Sequence, residues 1–276
     1  MSMKNVALGQ YYPAQSPLHK LDPRIKLILA MLYIVAAFLC KNILGFAVLA
    51  ATALLLILIS RVPLKTVLRS LRVIVFVLLF TVMINLFMTK DPDAAPLVSL
   101  WIFEVYTKGL YSALFIAIRI FCMIIGTCML LTYTTTPIAL TDALERLLSP
   151  LRLLKLPVHE FSMMMSIALR FIPTIMEEAE KIMAAQKARG AGFTEGNLIK
   201  RIKSLIPILI PLFASVFRRA FELATAMTCR CYRGGDGRTR MTAMRLHAFD
   251  VVVLVLSVAM LAGIVSCNYW GIGYTL

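Results

Sequence analysis

Residues 25–60 read IKLILAMLYIVAAFLCKNILGFAVLAATALLLILIS. The stretch contains two apolar runs, 25–40 and 43–60, which only Lys41 and Asn42 separate. A helix needs about 20 predominantly apolar residues to cross the hydrocarbon of a bilayer. Both runs are short for that purpose but nearly free of charge, so we predict two membrane helices joined as a tight hairpin.

Three further apolar runs have the same character, and they cover residues 73–89, 109–133 and 248–270. Of the 276 residues, 60% are hydrophobic, and the mean hydropathy is +0.84. Soluble chains are about 45–50% apolar, so the excess indicates a membrane environment. We therefore predict an all-α polytopic membrane protein with about five transmembrane helices.

Basic residues are distributed unevenly between the two sides that five spans define. Residues 1–26, 61–72 and 134–247 carry 25 of the 29 Lys and Arg. Basic loops stay on the cytoplasmic side of a membrane, which predicts a cytoplasmic N-terminus and an external C-terminus. This topology accounts for the formal net charge of +15. We therefore expect membrane lipid, and no nucleic acid, as the partner of the basic residues. It divides the chain into an N-terminal part with four membrane helices (1–133), a cytoplasmic helical region (134–247) and a C-terminal transmembrane helix (248–276).

The cytoplasmic region begins with two predicted helices. Thr136 has the N-cap position of the first helix and Pro137 its first helical position, and the helix extends to about Leu148. The second helix covers about 158–189, where apolar residues recur at helical spacing. It ends at Gly190, because glycine readily adopts the left-handed conformation that closes a helix.

The third predicted helix, about 198–232, ends before two glycines and contains the apolar run 202–217. That run resembles a sixth span, but it is short and carries Pro207 and Pro211. Proline bends a helix, and Lys and Arg at both ends of the run favour the membrane surface. We expect an amphipathic helix that lies along the inner face.

The second and third helices end alike, each with one arginine between small residues. A guanidinium with small neighbours is free to enter a pocket on another protein and form paired hydrogen bonds with carboxylates or carbonyls. The alternative is that both are ordinary C-terminal arginines, which the helix dipole favours. The residues concerned are Ala188, Arg189 and Gly190 in the second helix and Cys229, Arg230 and Cys231 in the third.

The sequence contains no pattern typical of a catalytic or metal site. Four of the six cysteines lie in or at the end of apolar runs, and the remaining pair, Cys229 and Cys231, has no second pair nearby. A zinc site needs about four ligands. A phosphate-binding Gly-x-x-x-x-Gly-Lys-Ser/Thr loop is missing, and His159-Glu160 is followed by Met163 where a zinc-protease helix has its second histidine. We expect neither enzymatic activity nor a metal site.

Arg119 lies inside the fourth predicted span. A charged residue in hydrocarbon is costly and by default indicates a functional role. The alternative is that the side chain extends to the interface or bonds to a neighbouring helix.

Five segments, taken in order along nearly the whole chain, resemble one family. The sequence is similar to the transmembrane T component of energy-coupling factor transporters, which are ABC-type importers of vitamins and metal ions. Two features depart from the family pattern: cysteines flank the second arginine, and Thr228 occupies a position where an acidic residue is common. The matching segments are Tyr12-Pro13 with Ser16 to Arg24 and Lys26-Leu27, Ser149-Pro150-Leu151, Ala168 to Pro173, Ala188-Arg189-Gly190, and Cys229-Arg230-Cys231-Tyr232.

The resemblance implies a non-catalytic coupling subunit, L-shaped, in the cell membrane of a prokaryote. Arg189 and Arg230 would insert into grooves of two ABC ATPase subunits, and residues 134–247 would form a coupling-helix region. ATP and Mg²⁺ would bind to those partners, so this chain would hold no cofactor. The coupling helices would also contact a membrane-embedded, substrate-binding S component, for which the candidate residues are Met164, Met165, Ala168, Phe171 and Ile172.

Two questions stay open at this point. The alternative function is a membrane-embedded lipid-modifying enzyme, which would require clustered acidic or histidine residues at the membrane surface. The coupling-helix region is also rich in methionine, whose flexible side chain suits surfaces that accept several partners. Methionine equally fills irregular gaps in packing, so a subunit shared among several S components is one of two interpretations.

Overall fold

The computed structural model describes residues 11–14, 16–88, 98–100, 103–150, 157–191, 198–234 and 246–270. The regular structure in these residues is helical except for one short hairpin, in which β1 (Val98–Leu100) pairs antiparallel with β2 (Phe103–Val105). The helices are α1 (Pro17–Lys20), α2 (Pro23–Leu39), α3 (Ile43–Ser60), α4 (Leu64–Met88), α5 (Thr107–Thr127), a π-helical turn (Cys128–Thr132), α6 (Pro137–Leu147), α7 (Val158–Ala188), α8 (Leu198–Cys229) and α9 (Ala248–Tyr269).

The predicted all-α polytopic membrane fold is confirmed. Among the described residues, four helices are long and apolar enough to cross a membrane, and three of them coincide with predicted spans. These three are Ile43–Ser60, Gly109–Thr132 and Ala248–Tyr269. The fourth, Lys203–Cys229, is a segment that we did not count as a span. The first predicted span corresponds to α2, which has 17 residues. The third corresponds to α4, whose apolar segment in the described part is Val75–Leu86.

The chain forms two compact units. Residues 9–143 and 244–276 form one, here called the membrane unit, and residues 144–243 together with 1–8 form the other, here called the α7–α8 unit. Helix α6 begins in the membrane unit and ends in the α7–α8 unit.

Helix α2 lies in the core of the membrane unit, where it packs against α3, α5 and α9. Its buried face carries Ala36 and Ala37, both fully enclosed, and Tyr33. Small side chains allow helices to approach closely in a membrane. The Tyr33 hydroxyl lies 3.2 Å from the carbonyl oxygens of both Leu49 and Cys122, so it bonds α2 to α3 and α5.

Arg119 bonds to a neighbouring helix, as one of the two interpretations of the sequence predicted. Its Nη2 donates to the carbonyl oxygen of Cys40, 2.7 Å away, at the C-terminal end of α2. The guanidinium carbon also lies 5.3 Å from the centre of the Phe46 ring. Arg119 therefore satisfies a carbonyl group at a buried helix end and contacts an aromatic face, which offsets the cost of a charge among apolar helices.

Candidate functional site

The site predicted from the sequence lies at the C-terminal ends of α7 and α8. Helix α7 ends at Ala188, and Arg189 is its C-cap. The amide of Gly190 donates to Lys187 O at 2.9 Å, and that of Ala191 donates to Gln186 O at 3.0 Å. Gly190 has a φ of +84°, so it is left-handed. These two bonds around a left-handed residue define a Schellman motif.

Helix α8 ends with the same motif. The amide of Cys231 donates to Thr228 O at 2.9 Å, and that of Tyr232 donates to Met227 O at 3.0 Å. Cys231 is the left-handed residue, with a φ of +56°. Arg230 therefore precedes it just as Arg189 precedes Gly190, so the two arginines occupy equivalent positions.

This motif corrects the predicted end of the third helix. We predicted that it extends to about 232 and ends before two glycines, but α8 ends at Cys229 and the turn is closed by Cys231. Cysteine disfavours the left-handed conformation because its Cβ approaches the following carbonyl oxygen. No feature of the sequence indicates that a non-glycine residue adopts this conformation here.

Both arginines are accessible. Arg189 and Arg230 are exposed, as are their immediate neighbours. Within the part of the chain that the structure describes, no side chain bonds to either guanidinium. An exposed arginine at a helix C-terminus, with all its donors available, can bind carboxylates or carbonyls of another protein in the forked geometry that lysine cannot provide.

The two turns differ in their expected response to substitution. Cys231→Gly should stabilise the end of α8 by about 1 kcal/mol, because glycine removes the left-handed penalty, while Gly190→Ala should destabilise the end of α7 by a similar amount. Hydrogen exchange at the amides that close the two turns measures these changes in stability. Exchange at Tyr232 should slow in Cys231→Gly, and exchange at Ala191 should accelerate in Gly190→Ala. Cys229→Ala is the control, since Cys229 lies within the helix. Faster exchange at Tyr232 in Cys231→Gly would contradict the strain argument.

Helices α7 and α8 pack against each other within their unit. Arg219 Nη2 donates to Glu178 Oε2 at 2.9 Å, and Gln186 Nε2 donates to the Pro207 carbonyl oxygen at 3.4 Å. The first pair is partly exposed, with 39% and 29% of the two side chains accessible, so we assign it a modest energetic role. The two bonds add to the packing that holds one arginine-bearing helix against the other.

The residues predicted to contact an S component lie on α7. Met164, Met165, Ala168 and Ile172 are exposed, whereas Phe171 is half-buried. Their spacing places most of them on one side of the helix. This leaves an apolar face on α7 without a partner among the described residues.

A second apolar surface on α8 was missed as a candidate contact. The residues share spacings of three or four and exposures between 46% and 73%; they are Ile206, Ile210, Phe213, Phe217 and Phe221. The signal was present in the sequence, since phenylalanine recurs at every fourth position over 213–221. We interpreted the apolar side of this helix as membrane-facing only.

In the part of the chain that the structure describes, the groups that could suggest catalysis do not form a reactive cluster. His159 Nδ1 lies 3.1 Å from Glu145 Oε1, so the histidine pairs α7 with the end of α6. Within the described ranges, no group of three or more His, Cys, Asp or Glu residues could hold a metal ion. Cys229 and Cys231 are exposed free thiols.

The apolar helices of spanning length define a multi-pass α-helical membrane protein. A family model described as "Cobalt transport protein" matches residues 14–241. Proteins named "Energy-coupling factor transporter transmembrane protein EcfT" are also similar. The one from Ruminiclostridium cellulolyticum is 48% identical over 268 residues, covering 97% of this chain and 98% of the relative. The one from Bacillus subtilis is 43% identical over 261 residues, covering 94% and 97%.

A third relative, from Clostridium kluyveri, is 46% identical over 270 residues, covering 98% of this chain and 99% of the relative. Identity at this level over nearly the full length is shared by chains of one fold and one family. The chain belongs to the family of energy-coupling factor transporter transmembrane proteins, as the resemblance predicted.

Proposed function

We propose that this chain is the coupling subunit of an energy-coupling factor transporter. It passes ATP-driven motion from two ABC ATPase subunits to a substrate-binding S component that imports a vitamin or a metal ion. The observation that carries the proposal is the equivalence of Arg189 and Arg230. Each is the exposed C-cap of a long helix, immediately before a left-handed residue. Two equivalent arginines suit two equivalent partners.

The proposed mechanism is mechanical. Each guanidinium binds in a groove of one ATPase, with Ala188 and Gly190 or Cys229 and Cys231 as close neighbours. ATP binding brings the two ATPases together and so moves both helix ends. Because α7 and α8 are joined by Arg219–Glu178 and by close packing, they respond as a pair. ATP and Mg²⁺ bind to the partners, and this chain supplies no catalytic group and no cofactor site.

The apolar surfaces of α7 and α8 are the proposed contacts with the S component. Exposed apolar residues at helical spacing suit a partner helix that is itself embedded in the membrane. On α7 these are Met164, Met165, Ala168, Phe171 and Ile172, and on α8 we add Phe213, Phe217 and Phe221. A lipid-modifying enzyme is not favoured by any arrangement of the described residues.

For the topology we propose five spans in a prokaryotic cell membrane, with the N-terminus in the cytoplasm and the C-terminus outside. Helix α8 is long and apolar enough to cross, but a span there would place residues 230–247 and their five arginines, Arg230 among them, on the outer side, against the charge rule. The apolar side of α8 therefore rests on the inner membrane surface or on the S component. The charge of +15 is explained by this topology, without nucleic acid.

Purification of the tagged chain from native membranes tests the proposal. We expect two ABC ATPase subunits and at least one small membrane protein to be recovered with it, and we expect the purified complex to hydrolyse Mg·ATP. Recovery of the chain without ATPases, or of an inactive complex, would refute the proposed function. If different small membrane proteins are recovered under varied vitamin limitation, the chain is a subunit shared among several S components. If the same single membrane protein is always recovered, the chain is dedicated to one S component.

A further inference from the structure

A buried lysine lies near the start of α2. Lys26 is 1% exposed. Its Nζ lies 2.9 Å from the Thr134 carbonyl oxygen, 3.4 Å from Thr135 Oγ1 and 3.4 Å from the His19 carbonyl oxygen. An ammonium group has three N–H donors, so these three oxygens satisfy all of them. One side chain thereby joins the N-terminal segment, α2 and the residues that follow α5.

Two buried carboxylates extend the network to α9. Asp22 and Asp250 are 6% and 1% exposed, and both attract the charge of Lys26. Asp250 Oδ1 accepts the amide of Asp22 at 3.2 Å, and its Oδ2 accepts the amide of His247 at 2.8 Å. Arg24 Nε lies 3.9 Å from Asp22 Oδ1. Two cations and two carboxylates therefore compensate one another, as buried charges require.

We call this network the polar junction; its members are Asp22, Lys26, Thr134, Thr135 and Asp250. All of them belong to the membrane unit, and Thr134, Thr135 and Asp250 lie close in sequence to places where the chain passes between the units. The chain passes between the units three times, and the two connections concerned here fall between Ala143 and Leu144 and between Ala243 and Met244. Thr134 and Thr135 precede α6, which contains the first connection, and Asp250 lies in the first turn of α9, just after the second.

We propose that Lys26 is a positioning residue for coupling: through the polar junction it anchors these two chain connections to α2, so that movement of the α7–α8 unit reaches the membrane unit. This inference rests on the proposed function. Stability alone does not require such a network, because well-packed apolar residues in place of buried charges are often as stable. Directional hydrogen bonds instead hold the connected segments in one arrangement.

The test compares hydrogen exchange of the purified complex with and without Mg·ATP in the wild type and in Lys26→Met. In the wild type, Mg·ATP should change exchange both in α7–α8 and at residues 16–26 and 246–252. In Lys26→Met the ATPases should remain bound and the change in α7–α8 should persist. The change at residues 16–26 and 246–252 should fall about 10-fold, the factor expected when hydrogen bonds to a charged group are lost.

A merely structural lysine would give a different result, because its loss would raise exchange equally with and without Mg·ATP. An unchanged ATP-dependent difference at residues 16–26 and 246–252 would therefore overturn the inference, as would a wild type in which Mg·ATP changes nothing there. Lys20→Met is the matched control, since Lys20 is exposed in the same segment, and it should behave as the wild type.

A second variant decides the matter if Lys26→Met does not fold. Thr135→Val preserves shape and removes one acceptor of Lys26, so it should reduce the ATP-dependent change in the membrane unit about 3-fold; a full-sized change would overturn the inference. Failure of the proposed function is distinguishable, because the wild-type chain would then be purified without ATPases.

Discussion

Replacing Arg189 and Arg230 together by alanine is expected to abolish recovery of the ATPase subunits with the purified chain. Removing one partner of a buried charged pair costs about 2–5 kcal/mol, so each single variant should weaken docking by at least about 30-fold. The double variant removes both attachments. Co-purification measures the effect, with the amount of ATPase determined relative to the tagged chain.

Two further variants separate charge from geometry. Arg233→Ala is the matched control, because Arg233 is an exposed arginine that follows the α8 turn and lies outside the motif; its loss should leave docking unchanged. Arg189→Lys and Arg230→Lys retain the charge but not the forked donors, so they should dock more weakly than the wild type. Normal ATPase recovery in the double alanine variant would mean that the two helix ends are not the docking sites.

Gly126→Ala is expected to have the largest effect on the stability of the membrane unit. A Cβ at Gly126 would lie 2.6 Å from Tyr33 Cζ and in equally severe contact with other atoms of the ring. Tyr33 cannot move away freely, because its ring is buried and its hydroxyl bonds to Leu49 and Cys122. Overpacking of a core typically costs about 1–3 kcal/mol. At this site the buried Tyr33 ring leaves little room for the structure to relax. Thermal unfolding of the purified chain in detergent measures the loss.

The chain offers a matched control for this prediction. Gly263 lies in α9, and a Cβ there would have no atom within 4 Å. Gly263→Ala should therefore be neutral or slightly stabilising, since alanine favours a helix more than glycine does. Combining Gly126→Ala with Tyr33→Ala should cost less than the sum of the two single changes, because they share one contact. Equal melting temperatures for Gly126→Ala and Gly263→Ala would contradict the close approach of α2 and α5.

The sequence by itself determined the class of protein and the position of the two arginines. Apolar runs of spanning length identify membrane helices because a bilayer excludes unsatisfied backbone groups. Thr136, Pro137 and Gly190 marked helix ends because capping depends on residues within one turn: Thr136 Oγ1 accepts the amide of Ala139 at 3.3 Å, and Gly190 is left-handed. These signals are local, so no knowledge of packing was needed.

Only the tertiary structure decided which buried polar groups meet. Arg119 is 79 positions from Cys40, Lys26 is 108 from Thr134, and Asp22 is 228 from Asp250. Neither periodicity nor composition predicts such pairs. Each pair depends on which helices pack side by side and on their relative position along the helix axes. The same holds for Gly126, whose lack of a side chain has meaning only beside the Tyr33 ring. Compensation of a buried charge requires a partner brought close by folding, and the partner is a property of the packed bundle.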